Sequence, residues 1–164
     1  MIDSRSSDFD EKELYELDSD QATELLREFL RTEKEALESM ELAFANEKYS
    51  RDSVVEFFEY VISNKFDPKH IDSQDNRIWI LRIAFYFGES LKKQSRQLDW
   101  GIGKRDTAFE NHPVITGFPK GIEAALITIV RNTLLGVVID GAARDSIRDA
   151  VDYWFDAGRA STST

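Results

Sequence analysis

The 164-residue chain contains no cysteine, and only three prolines and two histidines. Without cysteine there is no disulfide, no thiolate nucleophile, no zinc finger and no iron–sulfur centre. The histidines, His70 and His112, sit beside turn residues and outside any His-Glu-x-x-His spacing, so no zinc site is expected. Basic residues are also in deficit: Lys+Arg is 21 against Asp+Glu 31, a formal charge of −10. Such a charge disfavours nucleic acid and anionic membranes, both of which would repel it. Long clean apolar runs are missing too. Ile78–Phe87 is broken by Arg82, and Leu126–Ile139 by Arg131 and Asn132; both fall short of the roughly 18–20 residues of a membrane span. The polar, acidic start, Met1 to Asp10, carries no readable signal peptide. A soluble, cytoplasmic protein is the expectation.

Sequence signatures of chemistry are absent as well. There is no Gly-x-Ser-x-Gly elbow, Walker loop or Gly-x-Gly-x-x-Gly. Gly101-Ile102-Gly103-Lys104 lacks the six-residue phosphate-loop frame. Asp8-x-Asp10 and Asp18-x-Asp20 lack the turn glycine and twelfth-position Glu of a calcium loop. No metal, cofactor or catalytic residue is expected.

What is present is enough apolar material for a core: 41% hydrophobic and 12% aromatic, with eleven Phe. The organisation expected is a disordered acidic leader over 1–10, one globular domain over 11–158 and a frayed tail over 159–164. The charge is unevenly spread. Residues 1–20 hold eight acids and two bases, a net −6; residues 21–49 hold seven acids and four bases, a net −3. The rest of the chain is nearly neutral at −1. Such an asymmetry suits either a solvated face or an electrostatic surface for a basic partner.

Hydrophobic periodicity places the elements. Phe9, Leu14, Tyr15 and Leu17 suit a short docking helix, and Asp18-Ser19-Asp20 offers caps for a helix starting near Gln21. From there Ala22, Leu25, Leu26, Phe29, Leu30, Ala36, Leu37, Met40, Ala43 and Phe44 form one stripe, with Glu24, Glu28, Glu35 and Glu38 opposite. Glu33 falls inside the stripe. Either its carboxylate is buried, or Thr32-Glu33-Lys34-Glu35 forms a capping box that breaks the helix. Ser50 or Ser53 caps the next helix, with Asn64 as a left-handed end. Ser73 or Asp75 opens a long central helix near 73–95 that is apolar on every side of its first half. Leu98–Gly103 and His112–Phe118 read as an antiparallel hairpin, with Pro113 at an edge or strand start. Helices near Ile122–Ile139 and then to Gly158 complete a mainly α (α+β) fold. It has about six helices around the central one and a small hairpin near 98–118.

Glu89 is the one carboxylate of that apolar helix beyond its first turn. Arg82 and Lys93 lie at helical spacing from it, which predicts a structural ion pair. Around it, Tyr86-Phe87-Gly88-Glu89, then Trp100, then His112-Pro113-Val114-Ile115, resembles a pattern in small bacterial proteins of unknown function. In these an aromatic-x-Gly-Glu helix end precedes a Trp-bearing hairpin, and some resemble immunity proteins of polymorphic toxin systems. The resemblance spans roughly residues 78–118 and implies a protein that neutralises a cognate bacterial toxin rather than an enzyme. On that view the partner is a basic toxin domain. The contact surface is then Asp10, Glu11, Glu13 and Glu16 with Glu24, Glu28, Glu35 and Glu38. Two alternatives stand beside it: a small enzyme with a site near Glu89, Trp100 and His112, or a regulatory binding protein without a toxin.

Overall fold

The computed structural model describes residues 14–160. Five α-helices and one two-stranded sheet follow in order: α1 (Ser19–Ser39), α2 (Arg51–Asn64), α3 (Gln74–Gln94), β1 (Asp99–Ile102), β2 (Pro113–Thr116), α4 (Leu126–Val138) and α5 (Asp145–Ala160). A 3₁₀ turn at Pro119–Gly121 precedes α4. The class is the expected mainly α (α+β), with five helices rather than about six among the described residues.

Helix α3 is the axis. At 21 residues it is about 32 Å long, and it packs against all four other helices and β1. Its burial runs around the whole cylinder: Ile80, Leu81, Ile83, Ala84, Phe85, Tyr86, Phe87 and Leu91 are all buried. Ser73 caps it by accepting the Asn76 N–H at 3.2 Å, and Lys92 and Lys93 sit in its last turn, where cations favour the helix dipole. Buried Asn76 accepts the Asp67 N–H at 2.9 Å and donates back to the Asp67 carbonyl at 2.8 Å. One side chain thereby holds the Pro68 turn.

Helix α1 is unbroken through Thr32, so Glu33 is buried at 4% exposure on the α3-facing side. The alternative of a capping box at Thr32 is excluded. The box forms at the true start instead, where Asp18 and Gln21 each accept the other's backbone N–H. The helix also ends earlier than the apolar stripe predicts. Met40 is extended, and the N–H groups of Ala45 and Asn46 go to the Glu56 carboxylate rather than to a further turn. Phe44 reaches the core from this non-helical segment, 5.2 Å from the Tyr86 ring.

Ser50, not Ser53, caps α2. Asn64 remains helical and donates to the Tyr60 carbonyl rather than closing the helix in a left-handed conformation. Arg51 ties α2 to α5 through Asp152 at 3.0 Å and Asp156 at 2.7 Å. The hairpin register pairs Trp100 with Ile115 and Ile102 with Pro113, so Pro113 opens its strand as expected. Helix α4 begins four residues later than predicted. Ala124 exchanges two backbone bonds of 2.9 Å with Ile115 and is held extended alongside β2. Helix α5 runs through Gly158 to Ala160 because Gly158 is a packing position: a Cβ there would lie 3.0 Å from Leu98 Cδ1.

Candidate functional site

Where α1, the 40–50 segment, the C-terminal half of α3 and β1 meet, they leave a cleft of about 320 Å³. Leu30, Lys34, Leu37 and Glu38 line it from α1, Lys48 and Tyr49 from the connecting segment, Phe85, Glu89 and Lys92 from α3, and Trp100 from β1.

Its floor is a joint between α3 and the hairpin. The Trp100 indole lies over Gly88: an added Cβ would sit 2.1 Å from Trp100 Cζ2, so only glycine admits the ring. The indole Nε1–H donates to Glu89 Oε1 at 3.0 Å. Phe85 stacks on the indole at 6.3 Å and 7°, and Phe29 meets it edge-on at 5.5 Å. These contacts give the Gly-Glu…Trp pattern a physical meaning: small residue, acceptor and indole form one lock. Glu89 also takes Lys92 at 3.4 Å, and Lys92 reaches Asp99 at 3.3 Å. The predicted pairing with Lys93 and Arg82 does not form. Lys93 lies 3.9 Å from the Tyr49 ring centroid, and Arg82 is directed to Glu33.

Tyr49 forms a wall under constraint. Its φ is +63°, left-handed for a residue with a bulky side chain, which costs roughly 1–3 kcal/mol. What holds it there is Tyr86. The Tyr49 N–H donates to Tyr86 Oη at 2.7 Å, and the two rings stack at 4.9 Å and 20°. Ser53 Oγ donates to the Ser50 carbonyl at 2.8 Å. Tyr86 can then donate to Ser53 Oγ, 2.8 Å away, while accepting from Tyr49. Burial, then the charges of Glu89 and Glu38, push the Tyr49 hydroxyl above its ordinary pKa, so it stays protonated.

Beneath α1, outside the cleft, Glu33 Oε2 lies 3.9 Å from Arg82 Nε, and neither atom has a hydrogen-bond partner. Burial pushes the Glu33 carboxyl up to about 7, although Arg82 pulls the other way.

The sequence-predicted contact residues separate into three groups. Asp10, Glu11 and Glu13 lie outside the described residues. Glu16 is exposed, and Glu24, Glu28 and Glu35 are exposed but paired along α1 with Arg27 and Arg31. Glu38 alone lines the cleft. His112 is not a cleft residue. It is buried among the Tyr15 and Phe109 rings, each 5.9 Å away, with Nδ1 3.0 Å from the Glu110 carbonyl oxygen. Nearby, Asn111 donates to the carbonyls of Leu14 and Leu17 at 2.7 and 3.0 Å, fixing the segment that leads into α1. Lys34, Lys48, Lys92 and Tyr49 were missed from the sequence. The i,i+4 pair Lys34/Glu38 beside the apolar stripe is a signal for part of the set; nothing local signals Tyr49.

Among the described residues no cluster of three or more His, Asp or Glu side chains is placed to hold a metal, and no helix is long and apolar enough to cross a membrane. Gly103 is a packing glycine rather than part of a phosphate loop, since a Cβ there would meet the Phe109 carbonyl oxygen at 1.6 Å. No protein-family model, curated protein or solved structure matches the chain.

Proposed function

We propose that the chain is an acidic protein-binding module, acting in the cytoplasm, that occludes a basic toxin domain in the manner of an immunity protein. The observation that carries this reading is the partition of charge: nine of the ten net negative charges precede residue 50. Helix α1 supports it by keeping the carboxylates available. The Glu24, Glu28 and Glu35 side chains are 64%, 49% and 65% exposed. Their pairs with Arg27 and Arg31 are surface pairs, worth about 0–1 kcal/mol each, so a partner's lysines and arginines can replace them. A near-neutral body with an acidic front orients an approaching basic surface and speeds encounter. The module works by binding alone.

The test begins with affinity capture from native lysate at low salt and identification of a basic partner. Association with that partner is then compared between wild type and a variant with Glu24, Glu28, Glu35 and Glu38 replaced by Gln. The variant should associate about tenfold more slowly at low salt, with a flatter salt dependence. An unchanged rate and salt slope would sink the proposal.

A further inference from the structure

The cleft carries charges of both signs that are not neutralised within it. Glu89 is committed to Trp100 and Lys92, and Lys92 also to Asp99. Lys34, Lys48 and Glu38 line the same cleft and form no ion pair among the described residues. The remaining wall is apolar and aromatic: Leu30, Leu37, Tyr49, Phe85 and Trp100. Tyr49 is held in the left-handed region by Tyr86 at this wall, and backbone strain of that kind clusters at ligand sites.

We propose that this cleft binds a small zwitterion with a flat apolar side group, the chemistry of a free aromatic amino acid. Lys34 and Lys48 receive the carboxylate, Glu38 receives the ammonium, and the side group lies against the wall built by Trp100 and Phe85. The two signs select the class. A simple anion would face the Glu38 carboxylate uncompensated, and a simple cation would face two ammonium groups. An aromatic side group gains more at an aromatic wall than its buried area alone supplies. A volume of about 320 Å³ stands at the lower end of small-molecule sites, roughly 300–1,000 Å³, and suits one amino acid. The proposal does not rest on the protein-binding reading. Glu38 belongs to both surfaces, so the lysines separate the two.

The experiment is an NMR titration of the full ¹⁵N-labelled chain with unlabelled L-tryptophan and L-phenylalanine, following the Trp100 indole N–H. Saturable shifts with a dissociation constant below about 1 mM are expected. Tryptamine lacks the carboxylate and indole-3-propionate lacks the ammonium; each should bind about tenfold more weakly than L-tryptophan. The Lys34→Gln/Lys48→Gln double variant should lose about tenfold in affinity with its melting temperature unchanged, because both side chains are exposed. Absence of saturation by about 10 mM, equal binding of the three indoles, or wild-type affinity in the lysine variant overturns the proposal. The indole series is read on wild-type protein and stands whether or not the variant folds.

Discussion

Replacing Glu33 by Gln should stabilise this protein at alkaline pH and leave it unchanged in acid. The carboxyl is buried and held at about 7, against a model value of 4.5. A folded-state pKa above the unfolded value means that the folded state prefers the protonated acid. The stability this supplies is therefore complete below about pH 4.5, declines as pH rises through 7, and is gone above it. At 1.36 kcal/mol per pKa unit the difference amounts to about 3 kcal/mol. Gln mimics the neutral carboxylic acid and cannot ionise, so the variant keeps what wild type loses. For a domain of this size that corresponds to roughly 6–12 °C in melting temperature at pH 8. The opposing expectation is that removing one member of a buried pair strands the other. Two features decide against it here. Arg82 Nε is 3.9 Å from Glu33 with no hydrogen bond formed, so little is lost. The Arg82 side chain is also 20% exposed against 5% for Glu33, and its guanidinium lies 5.0 Å from the Trp79 ring. Urea unfolding of both proteins from pH 4 to 8.5, taken as a difference, cancels every other titration. The difference should be near zero at pH 4 and favour the variant by about 3 kcal/mol at pH 8. A flat difference, or a wild type that is the more stable at pH 8, would refute a carboxylate destabilised by burial.

Two further outcomes are expected. Gly88→Ala should cost about 2–3 kcal/mol and displace the indole, since its Cβ would sit 2.1 Å from Trp100 Cζ2; the check is urea unfolding together with near-ultraviolet circular dichroism, and wild-type stability would remove the lock. Tyr86→Phe should cost about 1–3 kcal/mol, because the Tyr49 N–H and Ser53 Oγ lose their shared partner. Hydrogen exchange should show the Tyr49 amide losing protection in that variant, and unchanged protection would mean that Tyr86 does not hold the left-handed turn.

Much of the fold was legible in the sequence because it is written in local terms. Asp18, Ser50 and Ser73 cap their helices, since a capping oxygen needs only its own next turn. The apolar run from Ile78 to Phe87 suits strand and helix alike, and the length of its segment decided for a helix buried on every side. Departures came where a distant group took over a backbone donor or acceptor. Glu56 captures Ala45 and Asn46 and ends the stripe of α1 early. Ile115 captures Ala124 and delays α4. Of the site, Glu38, Glu89 and Trp100 were visible as residues of interest, and the cleft that joins them was not.

The sequence by itself determined the element types, a short choice of caps for α1, α2 and α3, the central helix and the concentration of negative charge before residue 50, because periodicity, capping and composition act over a few residues. The tertiary structure alone decided which partner each group received: Trp100 for Glu89, Arg82 for Glu33, Tyr86 for Tyr49. The physical reason is distance. These pairings join residues 11, 49 and 37 positions apart, and their geometry exists only after α1, the segment bearing Tyr49 and the hairpin have packed around α3.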